Sequence, residues 1–391
     1  LILRRLASVV LLLGLLLGLV PAFAAAQTTP RKYIAYGDSI TEGRGDDPAR
    51  AEKGYPPRLQ LLLQAAGVSA TVLNRGLGGE RTPDSLARID QIVAEGQPGD
   101  YFLLMEGTND ISRAISPETT IFNLDEMARR AEVRSMVALH ATVIPRKPDA
   151  KVDADNVIND ALNGRIRNLA GLRQRREADP YEVFRSTPNL FPGFYVLVAD
   201  DPVGHPNAAG YDLMARVFFN ALQGIDTVPP VTGILNPAHG ARNVPADARI
   251  DVDLWDFISG IDLANTFLLV NGTVTPVVPT GNAVHARLSY QSLSPLTGIV
   301  SVGLRSRDLA TPANAVDREI ARFTIAGFVG LQGDINLDRR VDGSDLVSFG
   351  LHFGAVRGDL RYDANADLNA DGKIDGLDLA ILASNFGRTA A

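Results

Sequence analysis

The chain contains no cysteine in its 391 residues. That excludes disulfides, thiolate metal sites, cysteine nucleophiles and lipidation of an N-terminal cysteine. A basic excess is missing too. The 38 Lys and Arg are outnumbered by 45 Asp and Glu, leaving a formal net charge of −7, so the footprint of a nucleic-acid-binding protein is absent and no nucleic-acid partner is expected. No G-x-S-x-G segment occurs, which argues against the nucleophile elbow of an α/β-hydrolase. The main apolar run, Leu6 to Val20, spans 15 residues, short of the ~20 that a membrane-spanning helix requires. Hydrophobic residues make up 46 % and charged ones 21 %, which excludes wholesale disorder, and the length suggests two or three domains. What remains open is hydroxyl, imidazole and carboxylate chemistry.

Arg4 and Arg5 precede the apolar run, and Pro21 with Ala22-Phe23-Ala24-Ala25-Ala26 follows it. A positive start, a short apolar stretch and an A-x-A site predict a secretory signal peptide over 1–26, hence a secreted, extracellular protein. The paired arginines are a weak hint of twin-arginine export.

Three segments with different patterning follow. Over 27–225, short apolar runs at Tyr33–Tyr36, Thr71–Leu73, Tyr101–Met105 and Met136–Leu139 alternate with helical spacing at Pro57–Ala66, Ser85–Ala94 and Asn207–Leu222. Continuous apolar runs suit parallel strands covered on both faces, so this segment is predicted to be a layered α/β domain. At Asp226-Thr-Val-Pro-Pro230 the pattern changes, and the proline pair reads as a stiff linker. Over 226–327, alternation such as Ile250/Val252/Leu254 and Val300/Val302/Leu304, with a hairpin turn at Asn271-Gly272, predicts a β-sandwich. Asn271-Gly-Thr273 is also a glycosylation sequon. The Asp-Pro-Pro opening, Asp256 before Ser259-Gly-Ile-Asp262, and Val270-Asn-Gly272 resemble bacterial Ig-like modules.

The last segment, 328–391, repeats itself at an offset of 33, with 9 of 21 positions identical between 334–354 and 367–387. Duplication is the economical explanation. Each repeat places oxygen donors at the positions of a calcium-binding loop: Asp334, Asn336, Asp338, Asp342 and Asp345 in the first, Asp367, Asn369, Asp371, Asp375 and Asp378 in the second. Arg340 and Lys373 occupy the position that gives a backbone carbonyl. The segment holds ten Asp and no Glu, a bias that favours loop ligands over general surface charge. Two calcium ions are therefore expected. Arg339 stands where the second loop has Gly372, which predicts a strained or weaker first site. Paired D-x-N-x-D loops, each followed by one apolar helix ending in Phe-Gly, resemble a type I dockerin. That resemblance implies calcium-dependent folding and a cohesin-bearing scaffold or cell-surface protein as partner. Gly343-Ser344 and Gly376-Leu377 stand at the partner-reading positions and depart from the hydroxyl-rich pairs of well-known cellulosomal dockerins.

In the first segment, Gly37-Asp38-Ser39 directly follows the first buried run, Asn74-Arg-Gly-Leu-Gly-Gly-Glu80 the second and Glu106-Gly-Thr-Asn-Asp110 the third. Strand ends of parallel sheets gather active-site residues. A serine hydrolase needs an activated hydroxyl, a base and oxyanion donors. Ser39 is the candidate nucleophile, and its N–H, the Gly79 N–H and the Asn109 side-chain amide are candidate donors. Singly, each turn also reads as an ordinary glycine-rich or Asx turn. Of five histidines, three lie in the later segments and His140 lies inside an apolar run as a core residue. His205, in Gly204-His-Pro-Asn-Ala-Ala-Gly-Tyr211 before a helix, is the candidate base.

These blocks, in this order over roughly 33–222, resemble the SGNH (GDSL-type) hydrolases. The resemblance implies a flavodoxin-like three-layer α/β/α fold with Ser39 as nucleophile, Gly79 and Asn109 as oxyanion donors and His205 as base. The family's acid usually sits three residues before the histidine, which is Pro202 here. Asp201 is then the candidate third member, followed by Asp200, and some such enzymes orient the histidine through a backbone carbonyl. No cofactor is expected for catalysis. The resemblances together imply a secreted esterase acting on short acyl groups, acetyl on carbohydrate first. A lysophospholipase or general short-chain esterase is the near alternative, and a non-catalytic extracellular scaffold the distant one.

Overall fold

The computed structural model describes residues 30–113, 115–146, 152–196, 204–326, 331–357, 362–363, 365–369 and 371–389. The expected signal peptide lies outside the described residues. Five strands, β1 (Arg31–Gly37), β2 (Ala70–Gly76), β3 (Tyr101–Met105), β4 (Val137–Ala141) and β5 (Arg176–Ala178), form a parallel sheet in the order β2-β1-β3-β4-β5. That is the flavodoxin-like order, with its switch point between β1 and β3. Strands β1, β3 and β4 read as continuous apolar runs because both faces are covered, while β2, at the sheet edge, is half-buried. Tyr33, Ala35, Leu103, Met105 and Leu139 face one layer, and Ile34, Tyr36, Phe102, Leu104 and Ala138 the other.

The helices of this domain include α1 (Ser39–Glu42), α2 (Tyr55–Ala65), α3 (Thr82–Val93), α4 (Thr108–Ser112), α5 (Pro117–Val133), α6 (Val152–Leu172), α7 (Pro180–Ser186) and α8 (Ala208–Gln223), with one further short turn at Leu190–Gly193. On the first face, Leu59 and Leu63 of α2 meet Met214, Val217 and Phe218 of α8, with the Tyr55 and Phe218 rings stacked at 4.3 Å. On the second, Ile89 of α3, Leu124 and Met127 of α5 and Ile166 of α6 close the core. Each such side chain contributes roughly 1.5–3 kcal/mol by leaving water.

His140, on β4, is buried as the sequence predicts, and its Nε2 accepts from Arg175 Nη1 at 3.1 Å. Burial first, then the Arg175 charge, pull its pKa down to about 3. The unfolded chain, with a histidine near 6.5, takes up the proton first. Stability is thus full above that value and falls as pH drops from 6.5 towards 3, by up to about 1.4 kcal/mol per pH unit. His140→Gln should remove that slope. Thermal midpoints at pH 7, 5.5 and 4.5 are expected to converge on those of the wild type as pH falls, and a constant offset would contradict this linkage.

Strands β6 (Val231–Asn236), β7 (Arg249–Trp255), β8 (Phe267–Val270), β9 (Thr273–Val274), β10 (Thr280–Gly281), β11 (His285–Gln291), β12 (Ile299–Arg307) and β13 (Ala315–Thr324) make two antiparallel sheets, β10-β11-β7-β6 and β13-β12-β8-β9. Ile250, Val252 and Leu254 from one and Val300, Val302 and Leu304 from the other share a core, as their alternation predicts. Asn271-Gly272 is the tight turn between β8 and β9. The sandwich does not hang on a stiff linker: it is docked on α6. Trp255 Nε1 donates to Asn168 Oδ1 at 2.6 Å, and Arg167 reaches the Thr232 carbonyl at 3.0 Å while pairing with Asp179 at 2.8 Å. A Cβ on Gly171 would lie 2.1 Å from the Trp255 ring, so only glycine permits this approach.

In the last segment α9 (Gly343–His352) and α10 (Gly376–Asn385) follow the two acidic loops. The repeats pack reciprocally. Gly387 N donates to the Val341 carbonyl and Gly354 N to the Ile374 carbonyl, both at 2.7 Å, and Val341, Ile374, Phe349 and Leu382 form a small core.

Candidate active site

The carboxyl ends of β1, β2 and β3 lie level, with Gly37 in register with both Gly76 and Met105. Asp38 caps α1, its Oδ1 accepting from Ile40 N at 2.8 Å, which makes Ser39 the first helical residue, 4 % exposed. A Cβ on Gly76 would fall 2.1 Å from the Glu42 backbone nitrogen, so that glycine lets α1 lie across the end of β2.

His205 arrives from the other end of the domain. Its segment pairs with the preceding chain through Val196 N to the His205 carbonyl at 2.9 Å and Asn207 N to the Phe194 carbonyl at 3.0 Å. Asn207 caps α8, accepting from Gly210 N at 3.1 Å, as its place before a helical run predicts. Ser39 Oγ and His205 Nε2, 166 residues apart, lie within 2.7 Å. A buried hydroxyl hydrogen-bonded to an imidazole is the geometry of an activatable nucleophile.

Asn109, in α4 beyond β3, donates from Nδ2 to the Glu80 carbonyl at 2.8 Å and towards Asp38 Oδ2 at 3.4 Å. The first bond fixes its amide plane, and the second brings it beside the residue preceding Ser39. Gly79, with φ +77, sits in the turn after β2, and a Cβ there would meet nothing within 4 Å. A Cβ on neighbouring Gly78 would lie 3.9 Å from Ser39 Cβ, so this turn runs past the serine. Ser39, His205, Asn109 and the Gly78-Gly79 turn thus form one neighbourhood. Asp201 and Asp200 lie outside the described residues.

The buried support of the site has no distinct sequence signature. Burial raises the Asp38 carboxyl to about 6, opposed by the Ile40 N–H, the His205 ring and the Thr108 hydroxyl. Glu106, at the end of β3, is pushed well above the usual carboxylate range by burial and then by Asp38, and it accepts from Ser85 Oγ at 2.9 Å. Asp110 accepts from Thr82 N at 2.9 Å and Thr120 Oγ1 at 2.7 Å, pinning the turn that carries Asn109. Glu80 is clamped by Arg88 at 2.5 Å. Its trace in the sequence is an acidic residue at each strand end, beside the three candidate residues.

In the first acidic loop, Asp334, Asp338 and Asp345 each place a carboxylate oxygen within 4.8 Å of the others, a hard all-oxygen donor set that fits calcium. In the second, Asp367 accepts from Asp371 N at 3.0 Å and Gly372 N at 2.9 Å, matching Asp334 with Asp338 N and Arg339 N, both at 3.0 Å. Arg339 has φ +72 where Gly372 has φ +87. A left-handed arginine is strained where glycine is not.

Residues 35–213 match the GDSL-like lipase/acylhydrolase family, and residues 332–386 match the type I dockerin domain. An arylesterase of Vibrio mimicus is 33 % identical over 104 residues, 27 % of this chain and 50 % of that protein. Esterase TesA of Pseudomonas aeruginosa is 32 % identical over 116 residues, 30 % of this chain and 54 % of that protein. The chain thus spans about half the length of these relatives. Among solved structures, TesA superposes with a TM-score of 0.41 at 21 % identity, covering 50 % of this chain and 100 % of that one. Axe2, an acetylxylan esterase from Geobacillus stearothermophilus, gives 0.41 at 22 % identity over 50 % of this chain and 94 % of that one. The chain carries a GDSL-like lipase/acylhydrolase domain over 35–213, with a type I dockerin domain at 332–386.

Proposed function

We propose that this chain is an exported serine esterase that hydrolyses short acyl esters, acetyl groups on carbohydrate foremost. The observation that carries the reading is the 2.7 Å hydrogen bond between Ser39 Oγ and His205 Nε2 at the carboxyl edge of the sheet. Ser39 Oγ attacks the ester carbonyl carbon as His205 Nε2 takes its proton. The oxyanion is met by the backbone N–H groups of Ser39 and Gly79 and by the Asn109 amide. His205 then protonates the leaving alcohol, draws a proton from the water that attacks the acyl-serine, and returns it to Ser39 Oγ as the acid leaves. Asp201 orients the imidazole, Asp200 being next in line.

In this reading the tail binds two calcium ions, which supply charge neutralisation and fix the loop conformation. Asp334, Asn336, Asp338, Asp342, Asp345 and the Arg340 carbonyl hold the first, and Asp367, Asn369, Asp371, Asp375, Asp378 and the Lys373 carbonyl the second. The exposed Ser344 and Leu377, at the starts of α9 and α10, face a cohesin-bearing scaffold. Tails of this kind accompany enzymes acting on polysaccharide, which supports the carbohydrate ester as substrate and an extracellular address.

The test is hydrolysis of p-nitrophenyl acetate, butyrate and octanoate by the full chain with calcium present. Acetate is expected to exceed octanoate in kcat/KM by roughly tenfold or more, since each methylene is worth a recognisable factor in a shaped pocket. A preference for octanoate would move the substrate to lipids. No turnover of any ester by folded protein would leave the non-catalytic scaffold.

A further inference from the structure

Three carboxylates from distant parts of the chain converge where the first domain meets the sandwich. Asp226 lies in the link between α8 and β6, Asp256 directly follows β7 and Asp308 directly follows β12. An oxygen of each lies within 4.8 Å of the others. Asp308 is 1 % exposed and Asp256 5 %, while Asp226 is half-buried.

Backbone amides hold the three in place. Asp226 accepts from Val228 N at 3.1 Å and Ser259 N at 3.0 Å. Asp256 Oδ1 accepts from Ile258 N at 3.1 Å and Gly260 N at 2.8 Å. Asp308 Oδ1 accepts from Ala310 N at 3.1 Å and Asn314 N at 2.8 Å, and its Oδ2 from the Asn314 amide at 2.5 Å. Two oxygens are left over. Asp256 Oδ2 is sealed from solvent with no hydrogen-bond partner, and so is the hydroxyl of Ser259, whose N–H binds Asp226. Among the described residues no Lys, Arg or His pairs with any of the three carboxylates, and Arg307, next to Asp308, pairs with Asp262 instead at 2.8 Å. Negative charge gathered out of water with an acceptor unmade is strongly unfavourable unless a cation completes the site.

We propose that Asp226, Asp256 and Asp308 form a divalent-cation site that takes calcium and locks the sandwich to the end of the first domain. The donors are all oxygens, which disfavours the softer transition metals. Ligands drawn from three separate loop segments suit the flexible coordination of calcium better than the strict octahedron of magnesium. Asp256 Oδ2 and the Ser259 hydroxyl are the oxygens with capacity to spare. The site shares no residue with the C-terminal repeats. Calcium here ties the link carrying Asp226 to the ends of one strand from each sheet, so it stiffens a junction that Trp255 and Arg167 already help to close.

Trp255 adjoins Asp256 and is the only tryptophan of the chain, so terbium in this cluster has its own antenna. The calcium-stripped full chain is titrated with terbium, with excitation where tryptophan alone absorbs. Sensitised emission is expected to saturate, to be displaced by calcium but not by the same concentration of magnesium, and to be lost in Asp256→Asn. Asp226→Asn, in the half-buried link, is expected to weaken it strongly without touching either core, which covers failure of the Asp256 variant to fold. Replacing Asp334 and Asp367 by alanine should leave it unchanged. No tryptophan-sensitised emission from folded protein, emission undiminished in Asp226→Asn, or loss on replacing the two loop aspartates would each overturn the proposal.

Discussion

Ser39→Ala is expected to lower kcat for ester hydrolysis on the order of 10⁵–10⁶-fold, because it removes the hydroxyl that the fold sets against the His205 imidazole at the strand ends. His205→Ala should cost a similar factor, and the double variant little more than either alone, since a nucleophile and its base act as one unit. Neither change should weaken the fold by much. Ser39 is small, and the segment carrying His205 is held by backbone pairing through Val196 and Asn207. Initial rates with p-nitrophenyl acetate, beside thermal midpoints, check both statements. Costs that add on a logarithmic scale would mean that the serine and the histidine act separately.

Asn109→Ala should lower kcat by ~10²–10³-fold with KM little changed, the mark of a donor engaged chiefly in the transition state. The geometry sharpens the expectation. The Glu80 carbonyl fixes the amide at 2.8 Å, while the contact with Asp38 at 3.4 Å is long enough to be exchanged for a better acceptor. Asn109→Asp keeps the shape, removes the donors and adds a carboxylate beside Asp38, so it should be at least as damaging. A variant that raises KM while sparing kcat would place Asn109 in ground-state binding instead.

How much of this was legible in the sequence follows from what each signal measures. Strands β1, β3 and β4 are visible as apolar runs because both of their faces are buried, and β2 through the shorter run Thr71–Leu73. Strand β5, three residues reading Arg176-Glu177-Ala178, carries no such signal. Helix α6 went unread for a physical reason. Asn159, Asn163 and Arg167 recur at helical spacing on a buried face, where they bind the Ile144 and Val143 carbonyls and Asp179. A stripe that is polar and yet internal cancels the contrast on which periodicity depends. Helix α5 is different: Leu124, Met127, Ala128 and Ala131 carry the expected spacing, and the pattern was there to be found.

The candidate site was legible residue by residue, because turns after buried strands are short and their chemistry stands out. The Ser39–His205 distance was not legible, since it depends on how α8 packs on α2. The docking of the sandwich was hidden for a similar reason. It rests on the missing side chain of Gly171 and the size of Trp255, 84 positions apart, and neither speaks for the other in a linear reading. In the tail, by contrast, the duplication exposes both the ligand pattern and the place where the first loop lacks its glycine, and Arg339 is left-handed there.

The central claim, that His205 activates Ser39, is tested most directly by covalent labelling. The full chain is treated with a fluorophosphonate, whose phosphorus accepts an activated serine oxygen with loss of fluoride, and the labelled peptide is mapped by mass spectrometry. One modified residue, Ser39, is expected, with labelling slowed by orders of magnitude in His205→Ala. Labelling at another serine, or at Ser39 at an unchanged rate without His205, would contradict it.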